Sequence, residues 1–150
     1  RAESLRAAAR WSPGGAQLRR GREAMLEDFD QPHNLPLAGF ARLAGKSRQQ
    51  IYKDIDAGRL LALNVGRRGQ RLPDWQLDPV CLALTQAVRA GVQAQADDID
   101  VWTLYRALSE PLEALGGQAP VQAARPGSVA ATAAAVLGAL GLHGEPAASR

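Results

Sequence analysis

Pro36-Leu37-Ala38-Gly39-Phe40-Ala41-Arg42-Leu43-Ala44-Gly45-Lys46-Ser47-Arg48-Gln49-Gln50-Ile51-Tyr52-Lys53-Asp54-Ile55-Asp56-Ala57-Gly58 is the stretch on which the fold turns. Pro36 suits the first position of a helix, and Leu37, Phe40, Leu43 and Ala44 read as one apolar face. Gly45-Lys46 ends that helix. Ser47 can cap the next one, with Gln50 three residues on completing a capping box, and Ile51 and Ile55 sit one turn apart on its inner side. Gly58 stops it. Two short helices joined by a tight glycine-containing turn form the helix-turn-helix pattern, whose second helix enters a DNA major groove.

The face of the second helix opposite the isoleucines carries Arg48, Gln49, Tyr52 and Lys53, with Ser47 at its start. Their chemistry suits a groove. Arg pairs with guanine and Gln with adenine through two hydrogen bonds, Lys neutralises phosphate, and Tyr hydrogen-bonds the backbone. Beyond Gly58, Leu61, Leu63 and Val65 alternate, Gly66-Arg67-Arg68-Gly69 permits a tight turn, and Gln70-Arg71-Leu72-Pro73 returns. This predicts a hairpin with Arg67 and Arg68 at its tip and Arg71 on the return strand, a basic wing able to reach phosphates or a minor groove.

Charge is distributed to match. The 18 basic and 15 acidic side chains give a net charge of +3, but residues 1–41 sum to +1 (six basic, five acidic), residues 42–71 to +6 (eight, two) and residues 72–150 to −4 (four, eight). A compact basic block beside an acidic remainder predicts one surface for a polyanion and another for a different partner. With 46% hydrophobic residues the 150-residue chain can bury one full core or two small ones. A lone cysteine, Cys81, excludes an intramolecular disulfide and fits a reducing compartment, so a cytoplasmic location is expected. No apolar run approaches the roughly 20 residues of a membrane helix, and no membrane partner is expected.

Helices are also predicted over residues 3–11 and 16–29, separated by Ser12-Pro13-Gly14-Gly15, and these read either as a dimerising arm or as a flexible extension. Gln31-Pro32-His33-Asn34 reads as a linker. After Pro73-Asp74-Trp75-Gln76 the chain turns helical from Pro79, with Val80, Leu84, Ala87 and Val88 on one side and Gly91 closing the helix. Asp98 or Asp100 opens the next, where Val101, Leu104, Tyr105 and Leu108 keep helical spacing until Glu110-Pro111. Residues 116–127 read as loop. Ser128 caps a last helix with Val129, Ala133, Val136, Leu137 and Leu140 in one stripe, Gly141 ends it, and residues 142–150 form a tail.

Catalysis has no constellation to rest on, and an enzyme is not expected. His33 and His143 lie in predicted loops, neither at metal-ligand spacing from Cys81 or from a second histidine. Cys81 on an apolar face reads as a small core residue rather than a nucleophile. Asp97, Asp98 and Asp100 match no calcium loop, and Gly66-Arg67-Arg68-Gly69 lacks the phosphate-loop spacing. No catalytic residue, metal ligand or cofactor is predicted.

Trp102 with Leu104 and Leu108, Pro111, Leu115-Gly116-Gly117, Pro120, Gly127 and Val129-Ala130-Ala131 follow one another in an order that resembles the toxin-binding domain of the Xre/MbcA/ParS-type antitoxins. The resemblance covers roughly the last third of the chain. Residues 58–76 separately resemble the region before that domain in some ParS-like members, and also the winged motifs of excisionase-type and MerR-like DNA binders. The resemblance implies a type II antitoxin that neutralises a RES-domain toxin, a class that consumes NAD or transfers its ADP-ribose, and that autorepresses its operon. An excisionase- or MerR-like regulator without a toxin is the alternative.

Trp102, Pro111, Leu115, Gly116, Gly117, Val136, Leu137, Leu140 and Arg150 are the expected toxin-binding residues. Gly116-Gly117 would allow close backbone approach, and the tail ending at Arg150 would cover the toxin's nucleotide entrance. The expected fold is mostly α. Residues 1–34 form an arm and linker, 35–77 a helix-turn-helix with a β-hairpin, and 78–150 a helical toxin-binding domain with its tail. Operator DNA, a RES-type toxin and either a homodimer or a toxin–antitoxin hetero-oligomer are the expected partners.

Overall fold

The computed structural model describes residues 15–96 and 99–143, the first six of these as backbone. It is mostly helical, with one small antiparallel sheet. The chain divides into two compact units, residues 1–31 and 32–150. The first unit contains helix α1 (Gly15–Phe29). The second holds β1 (Asn34–Pro36), α2 (Leu37–Ala44), α3 (Arg48–Asp56), β2 (Leu63–Asn64), β3 (Gln70–Pro73), α4 (Pro79–Gln95), α5 (Val101–Ser109), α6 (Pro120–Ala123) and α7 (Val129–Ala139). The helix predicted over residues 3–11, the Asp97-Asp98 pair, and Arg150 with the tail beyond His143 lie outside the described residues.

The local signals around α2 and α3 act largely as their chemistry dictates. Gly45 takes the left-handed conformation (φ 69°) that ends α2, and Ser47 accepts a hydrogen bond from the Gln50 amide nitrogen at 3.0 Å. The capping box stays half-made, because the Gln50 side chain turns instead to Asp54 (2.9 Å). Pro36 is the last residue of β1 and the N-cap of α2 rather than its first helical residue. Leu37, Phe40, Ala41 and Ala44 form the inner stripe of α2. Leu43 lies off it, 66% exposed, at the rim of a groove of about 250 Å³.

The predicted linker is structural. Asn34 is buried in β1, which pairs with β3 in the register Asn34↔Pro73, Leu35↔Leu72, Pro36↔Arg71, while β2 flanks β3 on its other side. The hairpin therefore exists but is shorter than predicted, because residues 60–63 are buried without alternation and only Leu63–Asn64 joins the ladder. Side chains replace the missing ladder. Gln76 accepts from the Leu61 nitrogen (2.7 Å) and donates to its carbonyl (2.9 Å), Arg89 donates to the Leu60 carbonyl (3.1 Å), and Gln86 donates to that of Arg59 (3.1 Å). The predicted boundary at residue 77 falls inside this unit: Leu77 and Leu82 pack on the core built from Leu37, Phe40, Ile51 and Leu72.

The register also explains a second joint. Pairing of Asn34 with Pro73 makes His33 and Trp75 leave the sheet at the same end, where the Asp74 nitrogen donates to the His33 carbonyl (2.8 Å). Their rings stack with Tyr105 of α5, at centroid separations of 5.9 Å for His33–Trp75, 6.1 Å for His33–Tyr105 and 5.5 Å for Trp75–Tyr105. Trp102 meets Tyr105 edge-on at 5.7 Å. Asn34 Nδ2 donates to the Tyr105 hydroxyl (3.0 Å), which lies 2.7 Å from His33 Nε2. The indole nitrogen of Trp75 is buried and has no hydrogen-bond partner among the described residues.

In the C-terminal half Asp78 caps α4 with Pro79 at its first position, and Asp100 caps α5. Gly91 does not close α4, which runs on to Gln95. A Cβ on Gly91 would lie 2.5 Å from a methyl of Leu137, so the glycine lets α7 lie close against α4. The loop predicted over 116–127 contains the short helix α6, and Ser128 bonds back to the Arg125 nitrogen (3.0 Å) instead of capping α7.

Two stability predictions follow from these joints. Gly91→Ala should lower stability by about 1 kcal/mol, overpacking against Leu137 outweighing the gain in helix propensity, and the same change should stabilise a Leu137→Ala background. A double-mutant cycle of denaturant midpoints checks the reversal of sign. Tyr105→Phe should cost about 1–3 kcal/mol by stranding its buried partners, as read from urea denaturation midpoints.

Candidate nucleic-acid interface

α3 has two chemically distinct sides. Ile51 and Asp54 are buried and Ile55 half-buried, while Arg48, Gln49, Tyr52 (51% exposed), Lys53 and Asp56 face outward. The predicted row Arg48, Gln49, Tyr52, Lys53 thus lies together on one open helix face. Ser47 stands at its head, with its hydroxyl oxygen accepting the cap bond.

What holds that face in place is a buried carboxylate. Asp54, 4% exposed, receives Gln50 Nε2 (2.9 Å), Arg59 Nε and Nη2 (3.1 and 2.9 Å) and Lys46 Nζ (3.2 Å). Its backbone carbonyl accepts from the nitrogens of Arg59 and Leu60. Lys46 belongs to the turn before α3 and Arg59 to the chain after it, so one residue ties both ends of the helix. Burial pushes the Asp54 carboxyl up, but the hydrogen bonds from Arg59, Gln50 and Lys46, with the Lys46 charge, outweigh it and leave the carboxyl below its ordinary value. Sequence reasoning missed this cluster, although Asp54 is three residues from Ile51 on the inner side, where a charge requires partners.

Arg67 and Arg68 are exposed at the hairpin tip, where the Arg68 nitrogen bonds the Val65 carbonyl (3.1 Å) and Gly66 and Gly69 take positive φ. Arg71 is placed differently from its neighbours. It is half-buried on β3 and its guanidinium donates to the Asn34 carbonyl (3.3 Å), so it serves the sheet.

The residues singled out in the C-terminal half are scattered between core and surface. Trp102, Val136 and Leu137 are buried within the chain's own packing, which takes them off an open contact face, and Leu115 and Leu140 are half-buried. Pro111, Gly116 and Gly117 are exposed on a turn closed by the Leu112↔Gln118 bridge. There the glycines serve positive φ (69° and 84°), with open space around both rather than a close approach.

Two side chains weighed as reactive have structural partners. The Cys81 thiol donates to the Val121 carbonyl (3.2 Å), and burial together with the neighbouring Asp78 pushes it up to about 11, away from thiolate chemistry. His33 bonds Tyr105. Among the described residues no group of three or more His, Cys, Asp or Glu side chains is placed to hold a metal ion, and no helix is long and apolar enough to cross a membrane. Comparison with family models, with curated proteins and with solved structures returns no match.

The Asp54 cluster carries a pH prediction. Its folded carboxyl lies below the unfolded value of about 4, so as pH falls the unfolded chain takes up the proton first, and the cluster's stabilisation, whole above about pH 5, drains away through the folded value. Asp54→Asn should lose about 2 kcal/mol at neutral pH and show a shallower decline in stability below about pH 5. Urea denaturation at a series of pH values measures both; an unchanged acid slope would contradict the assignment.

Proposed function

We propose that this chain is a DNA-binding protein that reads an operator with α3 and steadies itself on phosphates with the β2–β3 hairpin, in the manner of a helix-turn-helix with a wing. The observation that carries this reading is the outward row Arg48, Gln49, Tyr52 and Lys53 on a helix whose other side is anchored through Asp54. A reading helix must present its side chains in a fixed orientation, and a buried carboxylate held by four hydrogen bonds from three side chains supplies that fixity. The surrounding basic block, +6 over residues 42–71, supplies the sequence-independent attraction that non-specific DNA binding requires.

We further propose, on the resemblance of the C-terminal third, that the protein acts by binding rather than catalysis, as the antitoxin of a RES-type toxin. Pro111, Gly116 and Gly117 are among the exposed residues of that region and are open to a partner. Co-expression with a RES-type toxin tests this half: a stable complex supports it, and a chain that binds DNA but captures no such toxin is an excisionase- or MerR-like regulator instead.

The DNA reading is tested by gel shift against operator and unrelated duplexes at several salt concentrations. Arg67→Ala/Arg68→Ala should weaken binding to all sequences and flatten the salt dependence by a slope of up to about one per lost phosphate contact, while Gln49→Ala should alter preference between sequences. An unchanged slope in the double variant would remove the hairpin from the interface.

A further inference from the structure

We infer that the groove beside Leu43 is filled by Leu43 of a second copy of this chain, in a two-fold contact where each copy gives its leucine and takes the other's. The groove, about 250 Å³, lies between two walls. The end of α2 and the turn into α3 supply Leu43 and Lys46; the turn Asp74–Leu77 and the start of α4 supply Leu77 and Leu82, and the fully buried Phe40 and Ile51 form the floor. Its polar groups are already engaged. The Gln76 amide is bound to Leu61 and Pro73, and Lys46 donates to Asp54, so nothing is left to orient a polar ligand and the occupant must be apolar. A space above the roughly 150 Å³ that holds a benzene ring admits an isobutyl group.

The chain displays such a group at the groove's own rim. Leu43 is the most exposed large apolar side chain among the described residues. A knob and a hole side by side on one surface are the two halves of an isologous contact, because a two-fold axis beside Leu43 seats each knob in the other copy's hole. Charge selects the same occupant. Lys46, half-exposed although bonded to Asp54, stands on the α2 wall, and Asp78, exposed at the head of α4, adjoins the opposite one. The two-fold lays the α2 wall of each copy on the α4 wall of the other and brings Lys46 to the partner's Asp78 twice over. A foreign peptide of one charge sign would match only one wall.

Sedimentation of the full chain without DNA tests this separately from any DNA reading. The contact is small, so the wild type should dimerise weakly, with a dissociation constant on the order of 100 μM. Leu43→Glu should weaken association at least tenfold and, as the side chain is already largely in solvent, leave the urea midpoint in dilute solution unchanged. Asp78→Asn, which keeps a capping side chain on α4 but removes the charge, should weaken it about threefold. Position is read with a short thiol-to-thiol cross-linker, the buried Cys81 staying silent. Because Leu43 lines the groove it enters, the two leucines meet at the axis, and Leu43→Cys should link to itself far faster than the exposed Glu113→Cys, which is outside the groove.

A wild type that stays monomeric into the millimolar range overturns the second copy as occupant and leaves the groove to another protein's apolar side chain. A dimer that Leu43→Glu does not weaken, or equal cross-linking at residues 43 and 113, puts the interface elsewhere and overturns the proposal as well.

Discussion

Residues 60–63 run through the interior of the protein with only the last of them in a strand, and the amides and carbonyls of such a segment cannot be left without partners in an apolar setting. Gln76 meets both polar groups of Leu61, while Gln86 and Arg89 of α4 meet the carbonyls of Arg59 and Leu60. Everything around the segment is arranged by that need. α4 must lie across it, the 3₁₀ turn Asp74–Leu77 must bring Gln76 beneath it, and the hairpin that follows is shortened because its first residues are already occupied. Burial lowers the pKa of Arg89 through desolvation, consistent with a guanidinium used as internal scaffolding.

The same economy of side-chain contacts fixes α3. A helix of nine residues has little stability of its own. Here its inner side is held by Ile51 in the core and by a carboxylate that reaches the preceding turn and the following loop together. The two cations are themselves half-open to solvent, so the pair energies are modest individually. Their effect is geometric. The outer row of α3 inherits the rigidity of the inner one without contributing to it, which leaves Arg48, Gln49, Tyr52 and Lys53 available to another molecule.

Period and punctuation made part of this legible in the sequence. The 3.6-residue spacing of Ile51 and Ile55 was enough to separate the two sides of α3, and Gly45, Ser47, Asp78-Pro79 and Asp100 mark helix ends because the backbone conformations and cap bonds required there are local. What was not legible is non-local. β1 is three residues long and contains a proline, so it has no strand signature until β3 is placed beside it. Gly91 reads as a helix stop unless Leu137, far along the chain, is known to press on it. Leu43 was assigned inward because it is a leucine, though the stripe formed by residues 37, 40, 41 and 44 already excluded it. Val136 and Leu137 were legible as part of one apolar stripe of α7, and that stripe is buried in the chain's own packing.

The aromatic joint at Tyr105 bears on how this protein can be dissected. A cut after residue 77 divides the chain where its composition changes, yet it strips Leu82 from the inner cluster, the Gln86 and Arg89 donors from the buried loop, and the ring of Tyr105 from His33 and Trp75. The severed face would be apolar and studded with polar groups that have lost their mates, a surface that favours aggregation over solubility. The natural seam is instead near residue 31, between units that are each compact. A module able to be transplanted, shortened or duplicated by recombination would therefore begin at Pro32 and carry its helical half along with it.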